Sequence, residues 1–237
     1  MIVAGADEAG RGSVIGPLVV AAVSLREEKL PKLEKLGVKD SKLLCPARRS
    51  ELFREIKRIA DSFSFEKIEP DSIDRAVFTG EKLHRLNYLE AQAMARLLSK
   101  IKFDRAFVDC CDTNQKRFGF QVSDLVAERR GNLYTVGERN PLLDKIVSEH
   151  HADRNYLVVS AASIVAKVTR DAAIKRISKK HGEVGSGYPS DPDTISYLER
   201  CFAKSKAFPD FTRRSWLTIR RMEGIEPKVL FETLRAN

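Results

Sequence analysis

Ile2-Val-Ala-Gly-Ala-Asp7-Glu8-Ala-Gly10-Arg11-Gly12-Ser-Val-Ile-Gly16 is the stretch on which both the fold and the chemistry turn. It opens with a short apolar run, the pattern of a strand. Two adjacent carboxylates end that run, and a Gly-Arg-Gly turn follows at once. Adjacent acids at a strand end repel each other, and they face opposite ways while the strand stays extended. A fold gains little from this unless something relieves the repulsion. A divalent cation does so, because hard cations take oxygen ligands. The glycines let backbone N–H groups approach an anion such as a phosphodiester. Metal plus phosphate is one reading of the segment; a solvated acidic turn after an edge strand is the other.

Outward from this segment, Pro17–Val23 is a near-continuous apolar run, as in a buried central strand. Residues 1–25 therefore read as two strands joined by the glycine-rich turn. Residues 46–61 have helical spacing, with Leu52, Phe53, Ile56, Ile59 and Ala60 on one side and Pro46 near the start. Phe63–Ile68 predicts a third strand, residues 84–101 a helix, Arg105–Asp109 a strand and residues 114–130 a helix. Asn132–Pro141 reads as loop, and Lys145–Asp153 as a last strand ending in an acid. Val158–Lys180 predicts a helix whose Ser160-Ala-Ala-Ser163 start suits close packing. Asp191 reads as an N-cap with Pro192 at the first helical position. Arg214–Met222 predicts a short helix carrying the only tryptophan. The class is α/β, a mixed sheet flanked by helices, followed by a helical C-terminal extension packed on it.

A chain of 237 residues can form one large domain, or a domain with a small appendage. No run of eighteen apolar residues occurs, so no membrane span is expected. The N-terminus lacks the basic and apolar layout of a secretion signal, which predicts a cytosolic protein. Cys45, Cys110, Cys111 and Cys201 show no C-x-x-C pair and no zinc-finger spacing, so reduced thiols are expected. Net charge is +9, concentrated toward the C-terminus: residues 154–237 hold 16 Lys and Arg against 9 Asp and Glu. A basic third suggests a polyanion partner; a solvated helical surface is the alternative.

Three strand-like segments end in acids, Asp7-Glu8, Asp109 and Asp153. Strands lying side by side would bring these ends to one cleft. Such a set can hold two divalent ions for phosphoryl transfer. All-oxygen ligands suit Mg²⁺ or Mn²⁺, and no His/Cys set argues for zinc. Asp104, Asp112 and Asp144 sit near strand ends too and compete for the role.

Six segments, in order, resemble the type 2 ribonuclease H family, ribonuclease HII: Asp7-Glu-Ala-Gly-Arg-Gly12, Gly37-Val-Lys-Asp-Ser-Lys42, Val108-Asp109, Glu149-His-His-Ala-Asp153, Ser160-Ala-Ala-Ser-Ile-Val-Ala-Lys167 and Gly185-Ser-Gly-Tyr-Pro-Ser-Asp-Pro192. The last of these, with Arg214-Ser-Trp216, resembles the archaeal and eukaryotic branch. The resemblance implies a ribonuclease H fold, here as a catalytic domain over 1–180 with the helical extension over 181–237. It implies metal-binding acids at Asp7, Glu8, Asp109 and Asp153. It implies hydrolysis of RNA in RNA–DNA hybrids and nicking of DNA duplexes 5′ of embedded ribonucleotides, leaving 3′-hydroxyl and 5′-phosphate ends. Gly10, Arg11 and Gly12 would contact the ribose 2′-OH and nearby phosphates, and Tyr188 would pack on the sugar of the following deoxynucleotide. Lys39, Ser41, Lys42 and Lys167 are candidate phosphate contacts. A monomer acting on nucleic acid, with no membrane partner, is expected. Ser13 departs from the proline often found there, His151 from an expected lysine, and 131–144 is longer than usual.

Other readings stay beside this one. Gly10–Gly16 loosely imitates a dinucleotide-binding turn, but Asp7 and Glu8 would repel a pyrophosphate, and no acid-tipped second strand follows at the required spacing. A non-catalytic nucleic-acid-binding module explains the basic third and leaves the acids without a role. His150 and His151 read as structural or outer contacts, because a two-metal site needs no general base. Arg213, Arg214 and Trp216 read either as nucleic-acid contacts or, for Trp216, as the anchor of its helix. The tail Val229–Asn237 is amphipathic and carries no clear sliding-clamp motif.

Overall fold

The computed structural model describes residues 1–38, 44–79, 85–131 and 140–225. Lys39, Ser41 and Lys42 lie outside the described residues, as do most of the expected 132–141 loop and the 229–237 tail.

The strands are β1 (Ile2–Ala9), β2 (Leu18–Arg26), β3 (Ser62–Ile68), β4 (Arg105–Asp109) and β5 (Ile146–Glu149). They form one sheet in the order β3-β2-β1-β4-β5. β1 pairs antiparallel with β2, from Ile2 opposite Arg26 to Ala9 opposite Val19. It pairs parallel with β4, and β4 pairs parallel with β5. Three parallel strands end at the same edge of a sheet, so Asp7, Glu8, Asp109 and Glu149 share that edge. Asp104 and Asp144 precede β4 and β5 and so belong to the opposite edge; Asp104 there accepts a hydrogen bond from the Ile2 amide at 2.6 Å.

The helices are α1 (Leu30–Leu36), α2 (Pro46–Ile59), α3 (Pro70–Thr79), α4 (Arg85–Ser99), α5 (Gln115–Arg129), α6 (Ala152–Asn155), α7 (Leu157–His181), α8 (Pro192–Ser205) and α9 (Leu217–Met222). Two of them start on a side-chain cap, the second of which the sequence predicts. The Asn114 side chain caps α5 by accepting from the Arg117 amide, and Asp191 caps α8 by accepting from the Asp193 amide. Helices α1, α3 and α6 are absent from the sequence reading. α1 buries only Leu33, and α6 is a single turn. Neither offers enough periodic positions to register.

The last strand needs a correction. It stops at Glu149 rather than running to Asp153. His151 has a left-handed backbone (φ 58°), which ends extended pairing and starts α6. Asp153 therefore sits in a helical turn.

The chain folds as two compact units. The first draws on Met1–Ala9, Val19–Glu66 and Asn87–Thr169, the second on Gly10–Leu18, Lys67–Leu86 and the chain from Arg170 onward. In the first, Val19, Ala21, Val23 and Leu25 of β2 pack with Leu52 and Ile56 of α2 and with Val158–Ala166 of α7. The glycine inside β1 has a reason here. A Cβ on Gly5 would lie 2.5 Å from the Val158 and Val159 backbone, so only glycine lets β1 approach α7 this closely. In the second unit, Val14 and Ile15 pack with Ile174, Val184, Tyr197, Leu198, Phe208 and Ile219. Among the described residues no helix is long and apolar enough to cross a membrane.

Candidate active site

The acids gather at the C-terminal edge of the parallel strands. One oxygen from each of Asp7, Glu8 and Asp109 lies within 4.8 Å of the other two. Asp7 and Glu8 are adjacent in an extended strand, and their carboxylate oxygens nonetheless come this close. Both stand in the last residues of β1. The Glu8 amide donates to Asp7 Oδ1 at 2.7 Å. Asp109 Oδ1 accepts from the Ala152 amide at 2.7 Å, which ties the end of β4 to α6. Asp153 stands outside this threefold group but near enough for its charge to act on Asp7. It is buried, and the Ser160 hydroxyl donates to its carbonyl.

Asp7 is only 4% exposed. Burial, then the charge of Asp109, and to a smaller degree that of Asp153, push its carboxyl from the ordinary 3.8 up to about 7. The Ser163 hydroxyl and the Glu8 amide hydrogen-bond to it and pull the other way. Its preference for a proton near neutrality is the preference of a crowded anion for any positive partner. An all-oxygen, negatively charged cluster at a strand edge fits Mg²⁺ or Mn²⁺.

The competing acids have other work. Burial favours a neutral Asp112, but the Asn114 amide, Arg117 and Asn87 outweigh it and hold Asp112 down to about 2. Asp112 forms an ion pair with Arg117. Glu149 accepts from the Tyr156 hydroxyl at 2.7 Å and from Asn155 Nδ2 at 3.2 Å. His150 and His151 are both exposed, with His150 Nδ1 3.2 Å from the Cys110 carbonyl oxygen. Lys167 is half-buried on α7.

The second unit holds the other candidates. Gly10 takes φ 86°, and the Ser13 amide donates back to its carbonyl at 3.3 Å, closing the Gly10–Ser13 turn. Ser13 donates its hydroxyl to the Ile15 carbonyl at 2.8 Å. The Gly187 carbonyl accepts from the Val14 and Ile15 amides at 2.8 and 3.1 Å, which joins the Gly185–Tyr188 turn to the Gly10–Gly16 loop. Tyr188 is half-buried, with the Arg170 guanidinium over its ring at 4.4 Å.

Arg213 corrects the sequence reading. It is fully buried and cannot serve as a surface contact for nucleic acid. Its Nη1 donates to the Arg11 carbonyl at 2.9 Å and its Nε to the Gly16 carbonyl at 3.1 Å. Trp216 packs against it, 5.0 Å from guanidinium to ring, at the start of α9. Arg214 is held by Asp74, which accepts from its amide, and donates to the Phe208 carbonyl. Ser163 and Arg170 are supporting residues the sequence reading does not single out, and Arg213 is one to which it assigns a different role. Ser163 reads as a packing serine, and a buried arginine is written in sequence just like a solvated one.

Comparison with known proteins agrees with this geometry. The ribonuclease HII family matches residues 4–219. A ribonuclease HII from Thermococcus sibiricus is 43% identical over 225 residues, 94% of this chain and 92% of that protein. The crystal structure of ribonuclease H2 from Pyrococcus horikoshii superposes with a TM-score of 0.80 at 38% identity over the whole of both chains. The ribonuclease HII of Archaeoglobus fulgidus, solved in complex with PCNA, gives 0.77 at 36% identity over 91% of this chain and 95% of that one. With most of its length matched, the chain belongs to the ribonuclease HII family and is an enzyme, an endonuclease of the ribonuclease H class.

Proposed function

We propose that the enzyme cuts the RNA strand of RNA–DNA hybrids, and nicks DNA duplexes on the 5′ side of embedded ribonucleotides, with Mg²⁺ or Mn²⁺ held by Asp7, Glu8, Asp109 and Asp153. The observation that carries this is the buried Asp7, raised to about 7 beside Asp109, with the oxygens of Glu8 and Asp109 within 4.8 Å. When bound, divalent ions at such a site supply an activated water and stabilise the leaving 3′ oxygen. The chain's own part is to hold the carboxylates in place. Ser163 and the Glu8 amide orient Asp7, the Ala152 amide orients Asp109, and Ser160 fixes the turn that carries Asp153.

The Gly10, Arg11 and Gly12 turn reads the ribose 2′-OH, the group that separates RNA from DNA. Its support is the rigidity that Arg213 and the Ser13 amide impose on it. Tyr188 packs on the following deoxyribose. Lys167, together with Lys39, Ser41 and Lys42 outside the described residues, contributes phosphate contacts. The protein acts as a monomer in the cytosol, where four cysteines outside any disulfide are at home.

The test is cleavage of end-labelled substrates: a hybrid, a DNA duplex with one ribonucleotide, and an all-DNA duplex, each with Mg²⁺, Mn²⁺ or chelator. Cuts with 3′-hydroxyl and 5′-phosphate ends in the first two alone, abolished by chelator, are expected. Binding without cleavage in either metal would establish the non-catalytic reading instead.

A further inference from the structure

We propose that Arg170 is a positioning residue that sets the Tyr188 ring and the Gly10 turn against one buried guanidinium, so that the two sugar-reading contacts act together; this rests on the reading of Tyr188 and Gly10 given under the proposed function. Arg170 is 4% exposed and lies in α7. Its guanidinium lies over the Tyr188 ring at 4.4 Å. Its Nη2 donates to the Ser186 carbonyl at 2.6 Å, within the same turn as the ring. Asp171 is an ionic neighbour, at 3.7 Å.

Two glycines make room for this side chain. A Cβ on Gly187 would come within 2.9 Å of Arg170 Nη2, and one on Gly10 within 3.2 Å of its Nε. Both glycines also need positive φ, at 82° and 86°. One buried side chain thus bonds to the turn that carries Tyr188 and lies close beside the turn that carries Arg11. A planar guanidinium stacks on a ring with its face while its edge donates in a fixed direction; an ammonium has no flat face to stack and no fixed fork. Buried as it is, Arg170 acts through the tyrosine and not on nucleic acid.

The experiment compares wild type, Arg170→Lys, Tyr188→Ala and the double variant. Rates are measured on a DNA duplex with one ribonucleotide and on a long hybrid, well below each melting temperature. Arg170→Lys should lower both rates, the lone-ribonucleotide rate about tenfold more, and the double variant should match Tyr188→Ala. In protein labelled with 3-fluorotyrosine, the Tyr188 ¹⁹F resonance, assigned by its loss in Tyr188→Phe, should shift in Arg170→Lys without any substrate. Arg170→Gln, which keeps a planar polar group, replaces the lysine variant if that one does not fold. An unmoved resonance, equal losses on both substrates, or losses that multiply in the double variant would overturn the proposal. If Tyr188→Ala changes the substrate preference and Arg170→Lys does not, the proposal alone fails. If neither changes it, the reading of Tyr188 fails and the proposal with it.

Discussion

The strand-edge acids and the glycine turns are fed by one stretch of chain, yet they are built on opposite physical plans. Asp7 and Glu8 close β1, and Gly10–Gly16 follows within the next residues. The acid cluster is made of side chains that repel one another, in surroundings that penalise their charge. The turn cluster is made of backbone carbonyls and amides satisfied by each other and by buried arginines. The first crowds like charges together in a buried place; the second is held by hydrogen bonds already in place. The first should respond to pH and metal, the second to shape.

The largest expected effect is on turnover. Asp7→Asn, Asp109→Asn and Asp153→Asn should each lower cleavage by about a thousandfold or more. Near-normal cleavage by any of them would remove that acid from the site. Stability should move the other way. A folded-state pKa of about 7, above the ordinary 3.8, means that the folded chain holds a proton the unfolded chain has lost. Stability is thus lost as pH rises from about 4 through about 7, by at most ~1.4 kcal/mol per unit. Without metal, Asp7→Asn should therefore melt several degrees above wild type at pH 8, with a smaller gain at pH 5, by calorimetry. An equal shift at both values would break the contrast between the two regions.

Arg213→Lys sharpens the contrast from the other side. The lysine cannot reach both the Arg11 and Gly16 carbonyls with fixed geometry. A loss of about 2–3 kcal/mol, or roughly 5–10 °C in melting temperature, is expected. It should be the same at pH 5 and pH 8. A pH-dependent loss would mean that the turn cluster is electrostatic after all.

Gly10→Ala is a smaller perturbation. At φ 86° an alanine is strained in the left-handed backbone, and its Cβ would crowd the Pro17 carbonyl at 3.1 Å. A cost of about 1–2 kcal/mol is expected, with a higher KM on hybrid and unchanged metal affinity by calorimetry. Weaker Mn²⁺ binding in this variant would show that the two regions are not separable. Smallest of all, Lys167→Gln should weaken binding of metal-free protein to every duplex alike. The slope of log affinity against log salt should become shallower by about 0.9. An unchanged slope would make Lys167 structural.

Much of this is legible in the residues. The apolar run of β1 and its acids, the cap at Asp191, and the long α7 all follow local rules that need no neighbours. The elements that escape a reading of the chain are those with little local signal. α6 is one turn set by a left-handed His151, a backbone state that histidine seldom declares in advance. The pattern puts Asp153 at the end of a strand and the structure puts it in a helical turn, because a strand and a strand followed by one helical turn look alike over a few residues.

By itself, the sequence determined the kinds of groups this enzyme brings to its chemistry: carboxylates at strand ends, glycines where a backbone must come close, and excess positive charge toward the C-terminus. Periodicity and side-chain chemistry are local properties, so they can be read from the chain. Only the tertiary structure decided which acids meet. Parallel pairing placed Asp7, Glu8 and Asp109 on one edge and left Asp104 and Asp144 on the other, while Asp112 is paired with Arg117. Only it showed that Arg170 and Arg213 are buried supports for the turns. Whether a charge faces water or a carbonyl depends on residues nearly two hundred positions away, as Gly16 and Arg213 are, and no local pattern carries that information.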